Sequence, residues 1–136
     1  MTGRPRPRLS AAHPATFQMR SFWLERLSYD EYAGIEPTEP AVRISRPELL
    51  QSDLSAQEVV VRIRIELGVG DRMLDATCCG RFDSGGLTEE EAAPFVTVNA
   101  PVMLLGAFRG VVAVISSLGS AGRLDLPALD LTSHAP

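Results

Sequence analysis

The sequence contains no lysine: all 13 basic residues are arginine, set against 17 carboxylates for a formal net charge of −4. The missing lysine reads as a bias of genome composition. The acidic balance excludes nucleic acid as the main partner, because phosphate binding needs a clustered positive surface. The one dense basic stretch, Arg4, Arg6 and Arg8 alternating with Pro5 and Pro7, is expected to be a disordered tail, since alternating proline blocks regular structure. Histidine is scarce, and His13 and His134 both fall in expected termini, away from any Cys-His nucleophile pair. Cysteine is confined to Cys78 and Cys79. Strand alternation would send these neighbours to opposite faces, where they can neither share a metal nor form an ordinary disulfide, and a reducing cytoplasm suits them. No apolar core follows the N-terminal arginines, so no secretory signal is expected. Phosphate-loop, nucleophile-elbow and zinc-helix motifs are missing too, so neither an enzyme nor a cofactor is expected, and Cys78 reads as a small strand residue.

What is present suits one α+β domain of 136 residues. Residues 1–16 read as an N-terminal arm, 17–131 as the domain and 132–136 as a flexible C-terminus. From Phe17 to Tyr29 aromatic content favours a strand, with Phe17, Met19, Trp23 and Leu27 on a partly alternating face and a bulge near Ser21. Asp30 to Pro40 reads as a loop. Val42 to Leu54 begins as a strand, and its continuation past Pro47 is open between strand and a single helical turn. The clearest element is Glu58 to Leu67: Val59, Val61, Ile63, Ile65 and Leu67 share one face, and Val60, Arg62, Arg64 and Glu66 the other. A turn at Gly68 to Asp71 returns the chain as Arg72 to Phe82, the partner strand of a hairpin.

Thr88 and Glu91 then match a capping box, opening a short helix from Glu89 to about Val96 with three carboxylates in its first turn. Pro101 opens a second, long helix that runs to Leu118 and stops at Gly119. Val102 to Leu118 is the longest apolar run, interrupted only by Arg109 and short for a bilayer, so burial in protein rather than membrane insertion is expected. The order predicts a four-stranded antiparallel sheet followed by a short and a long helix.

The strand pattern from Phe17, the strand Glu58 to Leu67, its hairpin, Pro101, Met103 to Leu105, Arg109, Gly119 and the tail Leu124-Asp125-Leu126 to Leu129-Asp130-Leu131 together resemble the SecB chaperone family, which holds unfolded preproteins for export. The resemblance implies a sheet backed by helices and a homotetramer, a dimer of dimers, with long helices packed between sheets. It departs at Gly106 and at Ala121-Gly122, where the family often carries proline or an aromatic-proline pair. Leu131 replaces a tail aromatic, and Arg26 stands where the family has an acid. The sequence stops at Pro136, before the final helix that normally helps the hand-over to the SecA motor, which weakens the expectation of that step.

By that resemblance, clients would bind at Phe22, Trp23, Leu24, Leu49, Leu50, Leu54, Phe82, Leu87, Phe95, Val96 and Val98. The motor would dock at Asp30, Met73 and Asp75. Subunits would meet through Met103, Leu104, Ala107, Phe108, Val111, Val114, Ile115 and Leu118. The implied function is an ATP-independent holdase for unfolded preproteins, with SecA as a further partner. The alternatives are a dedicated chaperone whose client is the antitoxin of a toxin-antitoxin system, a small-ligand-binding domain with Arg109 as its polar group, and a structural oligomer without chaperone activity.

Overall fold

The computed structural model describes residues 17–31, 41–53, 55–119 and 122–124. Its strands are β1 (Gln18–Glu31), β2 (Ala41–Ile44), β3 (Glu48–Asp53), β4 (Glu58–Val69) and β5 (Arg72–Asp83), followed by helices α1 (Glu89–Pro94) and α2 (Ala100–Ser117) joined by a π-helical turn, Phe95–Asn99. All pairings are antiparallel, in the order β1-β5-β4-β2, with β3 also on β4. The expected four rows are therefore present, and the fourth is split. Ser45–Pro47 interrupts it, and a second strand rather than a helical turn follows Pro47. Proline is tolerated there because β2 and β3 lie at a sheet edge, where an N–H is not needed for a second neighbour.

The central hairpin is set by alternation. Val59, Val61, Ile63, Ile65 and Leu67 are buried on the helix-facing side, with Leu74, Ala76, Cys78 and Phe82 beside them from β5. The link is a two-residue turn, Gly70-Asp71, with Gly70 at φ 59°; glycine at the first central position is what a type II′ turn demands.

β1 differs from the simple expectation. Its ladder slips between Met19 and Ser21, at the place the imperfect alternation marks, and again between Leu24 and Arg26. Each bulge inserts a residue and shifts the phase. Met19, Phe22, Leu24, Leu27 and Tyr29 consequently pack toward the core, while Trp23 pairs with Cys79 and lies under the Arg81 guanidinium on the outer side. Asp30 and Glu31, read as loop, belong to the strand; residues 32–40 lie outside the described residues, as do 1–16 and 125–136.

The expected break between two helices is not a break. Glu89 to Ser117 is one 29-residue rod, in which the Ala100 N–H bonds the Phe95 carbonyl across the π turn. Pro94 and Pro101 flank that turn, and its wider spacing lets the rod continue past two residues that lack the N–H a helix uses. The capping box is present: Thr88 Oγ1 accepts from the Glu91 N–H at 3.2 Å, and Glu91 Oε1 from the Thr88 N–H at 3.3 Å. α2 lies on β4, β5 and β1 and buries Leu104, Leu105, Phe108 and Val112. Gly80 makes this approach possible, since an added Cβ would stand 2.7 Å from Leu104 Cδ2. After α2, Ser116 Oγ accepts from the Leu124 N–H at 2.7 Å, and Arg72 donates to the Gly122 carbonyl at 2.7 Å, clasping 122–124 to the hairpin end.

Candidate functional site

Among the described residues β3 pairs only with β4, so there its other edge carries unmatched backbone groups. Above that edge runs α1. Between them lies a groove of about 170 Å³ lined by Leu49, Ser52, Val59, Glu89, Ala92, Ala93, Val96 and Thr97. The groove exists because small residues meet there. Ala92 and Ala93 on the helix and Ser52 on the strand do not fill the space that Leu and Phe fill under α2. Its volume is below the 300–1,000 Å³ of small-molecule sites and accepts one or two apolar side chains. Leu49 and Leu50 flank it at 47% and 42% exposure, on a strand whose ladder slips between Leu49 and Gln51.

The outer face of the sheet has opposite character. Arg62 bridges Glu25 at 3.2 Å and Glu48 at 2.7 Å. Arg64 forks onto Asp75 at 3.2 and 2.8 Å and also meets Glu66 at 3.3 Å. Arg81 pairs with Glu58 at 2.5 Å, and Arg20 with Asp83 at 2.6 Å. Hydrogen bonds from Arg64 hold the Asp75 carboxyl below its ordinary range, and those from Arg20 do the same for Asp83. Asp30, Met73 and Asp75, grouped for motor docking, do fall together: Asp30 pairs across from Met73, two residues from Asp75. Met73 is exposed, but the charge around it is balanced, since Asp75 is held by Arg64 with Arg26 nearby.

The two thiols lie on opposite faces, Cys78 in the core and Cys79 among Glu25, Arg62 and Glu48. Burial pushes both up to about 12, so both are neutral thiols at physiological pH. Among the described residues no group of three His, Cys, Asp or Glu could hold a metal ion.

Of the residues grouped for client binding, the groove brings together Leu49 and Val96, with Leu50 beside them. Val98 is exposed further along the π turn, and Leu87 is half-buried before the helix cap. Phe22 and Leu24 pack inward, and Trp23 outward. Phe82 is wholly buried and Phe95 half-buried, stacked on either side of Phe17 at 5.0 and 5.4 Å. These aromatics seal the core's end; Phe82 is closed to a client, whereas Phe95 keeps part of its surface exposed. Leu54 lies outside the described residues. Ser52, Val59, Ala92, Ala93 and Thr97 escaped the sequence reading. The alternation of β3 and the i, i+4 spacing of Ala92 and Val96 were the available signals.

Among the residues grouped for subunit contact, Leu104 and Phe108 are fully buried in the chain's own core. A helix face pointing at its own sheet cannot also meet a neighbour. Val114 and Leu118 are 62% and 80% exposed, and Met103, Ala107, Val111 and Ile115 are half-buried along the flanks. By length and composition alone the rod is apolar enough to cross a membrane, with a third of its most apolar window buried.

No protein-family model and no curated protein matches the sequence. Solved structures do. One is a protein of unknown function from Streptococcus agalactiae, 11% identical, over 82% of this chain and 96% of that one, at a TM-score of 0.47. Another is the SecB-like chaperone Rv1957 of Mycobacterium tuberculosis, solved in complex with a ChAD peptide from the HigA1 antitoxin. It is 20% identical, over 84% of this chain and 88% of that one, at a TM-score of 0.65. The α+β architecture, an antiparallel sheet followed by a long helix, is thus a SecB-like fold.

Proposed function

We propose that this protein is a chaperone that holds unfolded or partly disordered client segments without ATP. The observation that carries the reading is the apolar groove beside the open edge of β3, with Leu49 and Leu50 exposed at its mouth. An extended segment laid there would gain main-chain hydrogen bonds from the edge and place apolar side chains in the groove. Neither contact demands a particular sequence, because release of water from apolar surface is non-directional. No nucleotide or catalytic group enters this scheme. The small groove volume disfavours the small-ligand alternative.

A dedicated client, such as an antitoxin segment, is favoured over general export. The SecB-like fold is shared with a chaperone solved with an antitoxin peptide. The hairpin end also offers a basic motor segment little net negative charge, since Asp75 is already paired with Arg64. Val102, Val114 and Leu118 on the outward side of α2 are proposed to be covered by further copies of the chain in a dimer of dimers, with the cytoplasm as compartment. Light scattering of a chemically denatured client, diluted with and without one assembly per client, tests the reading. Strong suppression is expected, and unchanged scattering overturns it. Solution mass tests the assembly, with a monomer as the contrary result.

A further inference from the structure

We infer that the π turn Phe95–Asn99 is the positioning element of the groove: its one extra residue sets the rotation of α1, so that Ala92 and Val96 rather than Glu90 and Pro94 form the wall above β3. The rotation is independent of the chaperone reading; its consequence for clients rests on that reading.

Helical phase carries the inference. α2 buries Pro101, Leu104, Leu105, Phe108 and Val112, the spacing of a single α-helical face. Carried back toward α1 in steps of three and four residues, that face passes through Thr97, Pro94, Ala93 and Glu90. All four are exposed. Ala92 is buried instead, and Phe95 and Val96 are half-buried, so α1 meets the sheet one residue out of step with α2. One residue of an α-helix is about 100° of rotation. The π turn absorbs that residue, since the Ala100 N–H reaches back five positions to the Phe95 carbonyl where an α-helix reaches back four.

Phe95 stacks on Phe17 at 5.4 Å, and Phe17 on Phe82 at 5.0 Å, which fastens the turn to the end of the core. Wound as plain α-helix, the same residues would swing Phe95 out of that stack. Glu90 would turn toward Val59 and the core, where an unpaired carboxylate is costly. The apolar wall of the groove therefore depends on the number of residues in the turn and not on the side chain that fills the extra place. Val98, 46% exposed, belongs to neither the groove lining nor the core, so it can be removed without loss of packing.

Glu90→Cys and Ala92→Cys, each in the full chain, report the rotation through their rates of alkylation by iodoacetamide. The native thiols stay silent, being buried with pKa values of about 12. The thiol at 90 should react about tenfold faster than the one at 92, because exposure governs access. Deleting Val98 turns the π turn into plain α-helix without changing the rotation, so that order should persist. Inserting one alanine between Thr97 and Val98 rotates α1 by about 100°, and the order should reverse. A deletion that reverses the order, or an insertion that leaves it, overturns the inference; where the inserted chain fails to fold, the deletion alone decides. In parallel, affinity for fluorescein-labelled, reduced and carboxymethylated α-lactalbumin should fall about tenfold in the inserted chain, as apolar surface leaves the groove. It should return when Val96→Phe and Thr97→Val move the apolar face by one place. Binding unchanged in a chain with reversed thiols, or lost and not repaired, also overturns the inference. Thiols that behave as expected in a chain that never binds this client sink the chaperone reading and keep the rotation.

Discussion

α2 lies on β4 and β5 with large side chains pressed against backbone, whereas α1 lies beside β3 with alanines facing it and space left over. The difference comes from which partner is small. Under α2 the strand supplies Gly80, so Leu104 can sit directly on the sheet and no gap remains. Under α1 the helix supplies Ala92 and Ala93 and the strand supplies Ser52, so neither side fills the gap. One rod therefore serves as core at one end and as a wall of an open groove at the other. A small residue closes a helix-sheet interface only when a large one opposes it.

The sharpest way to break this contrast is Leu104→Ala, which should cost about 2–5 kcal/mol in guanidinium denaturation. Leu49→Ala, at the groove, should stay within about 0.5 kcal/mol. Next is Gly80→Ala, expected to cost about 1–3 kcal/mol by overpacking against Leu104. In a Leu104→Ala background that cost should fall only in part, because the Phe82 ring also stands 2.8 Å from the added Cβ, and a double-mutant cycle reads the share that belongs to Leu104. Equal costs in both backgrounds would mean that Gly80 matters for some reason other than the approach of the helix. Replacing Leu49 and Leu50 by aspartate should weaken binding of an unfolded client about tenfold, as two exposed apolar contacts are lost, while the thermal midpoint barely moves.

The smallest effect belongs to the outer face. Asp75 and Asp83 are held below the ordinary 3.8 by hydrogen bonds from Arg64 and Arg20. The folded chain binds these protons more weakly than the unfolded chain. Their contribution is therefore complete above about pH 4 and disappears as pH falls through the lower folded values. Thermal midpoints followed from about pH 5 to about pH 2 should decline, and Asp75→Asn should flatten part of that decline. An identical slope in the variant would show that the pair is solvent-screened and contributes nothing.

Much of the scaffold was legible because it obeys local rules. Val59 to Leu67 alternates without error, Gly70-Asp71 has the chemistry of its turn, and Thr88 with Glu91 announces the helix. The faces of β1 were not legible. Two bulges shift its phase, and a bulge depends on how the neighbouring strand is paired rather than on local composition. The fusion of two helices was hidden for a similar reason: Pro101 signals a start, and only a π turn lets the rod pass through it. The groove was half legible. Leu49 and Val96 were singled out, but their neighbours Ala92, Ala93 and Ser52 matter by being small, which no hydrophobic pattern highlights.

The sequence by itself determined the central hairpin, the helix cap, the opposed thiols and the separation of an apolar from a charged sheet face, because each follows from periodicity or chemistry within a few residues. Tertiary structure alone decided that Leu104 and Phe108 serve the chain's own core, that Asp75 is neutralised by Arg64, and that a groove opens beside β3. Those outcomes depend on which side chains face each other across elements far apart in sequence, and on whether their volumes and charges match.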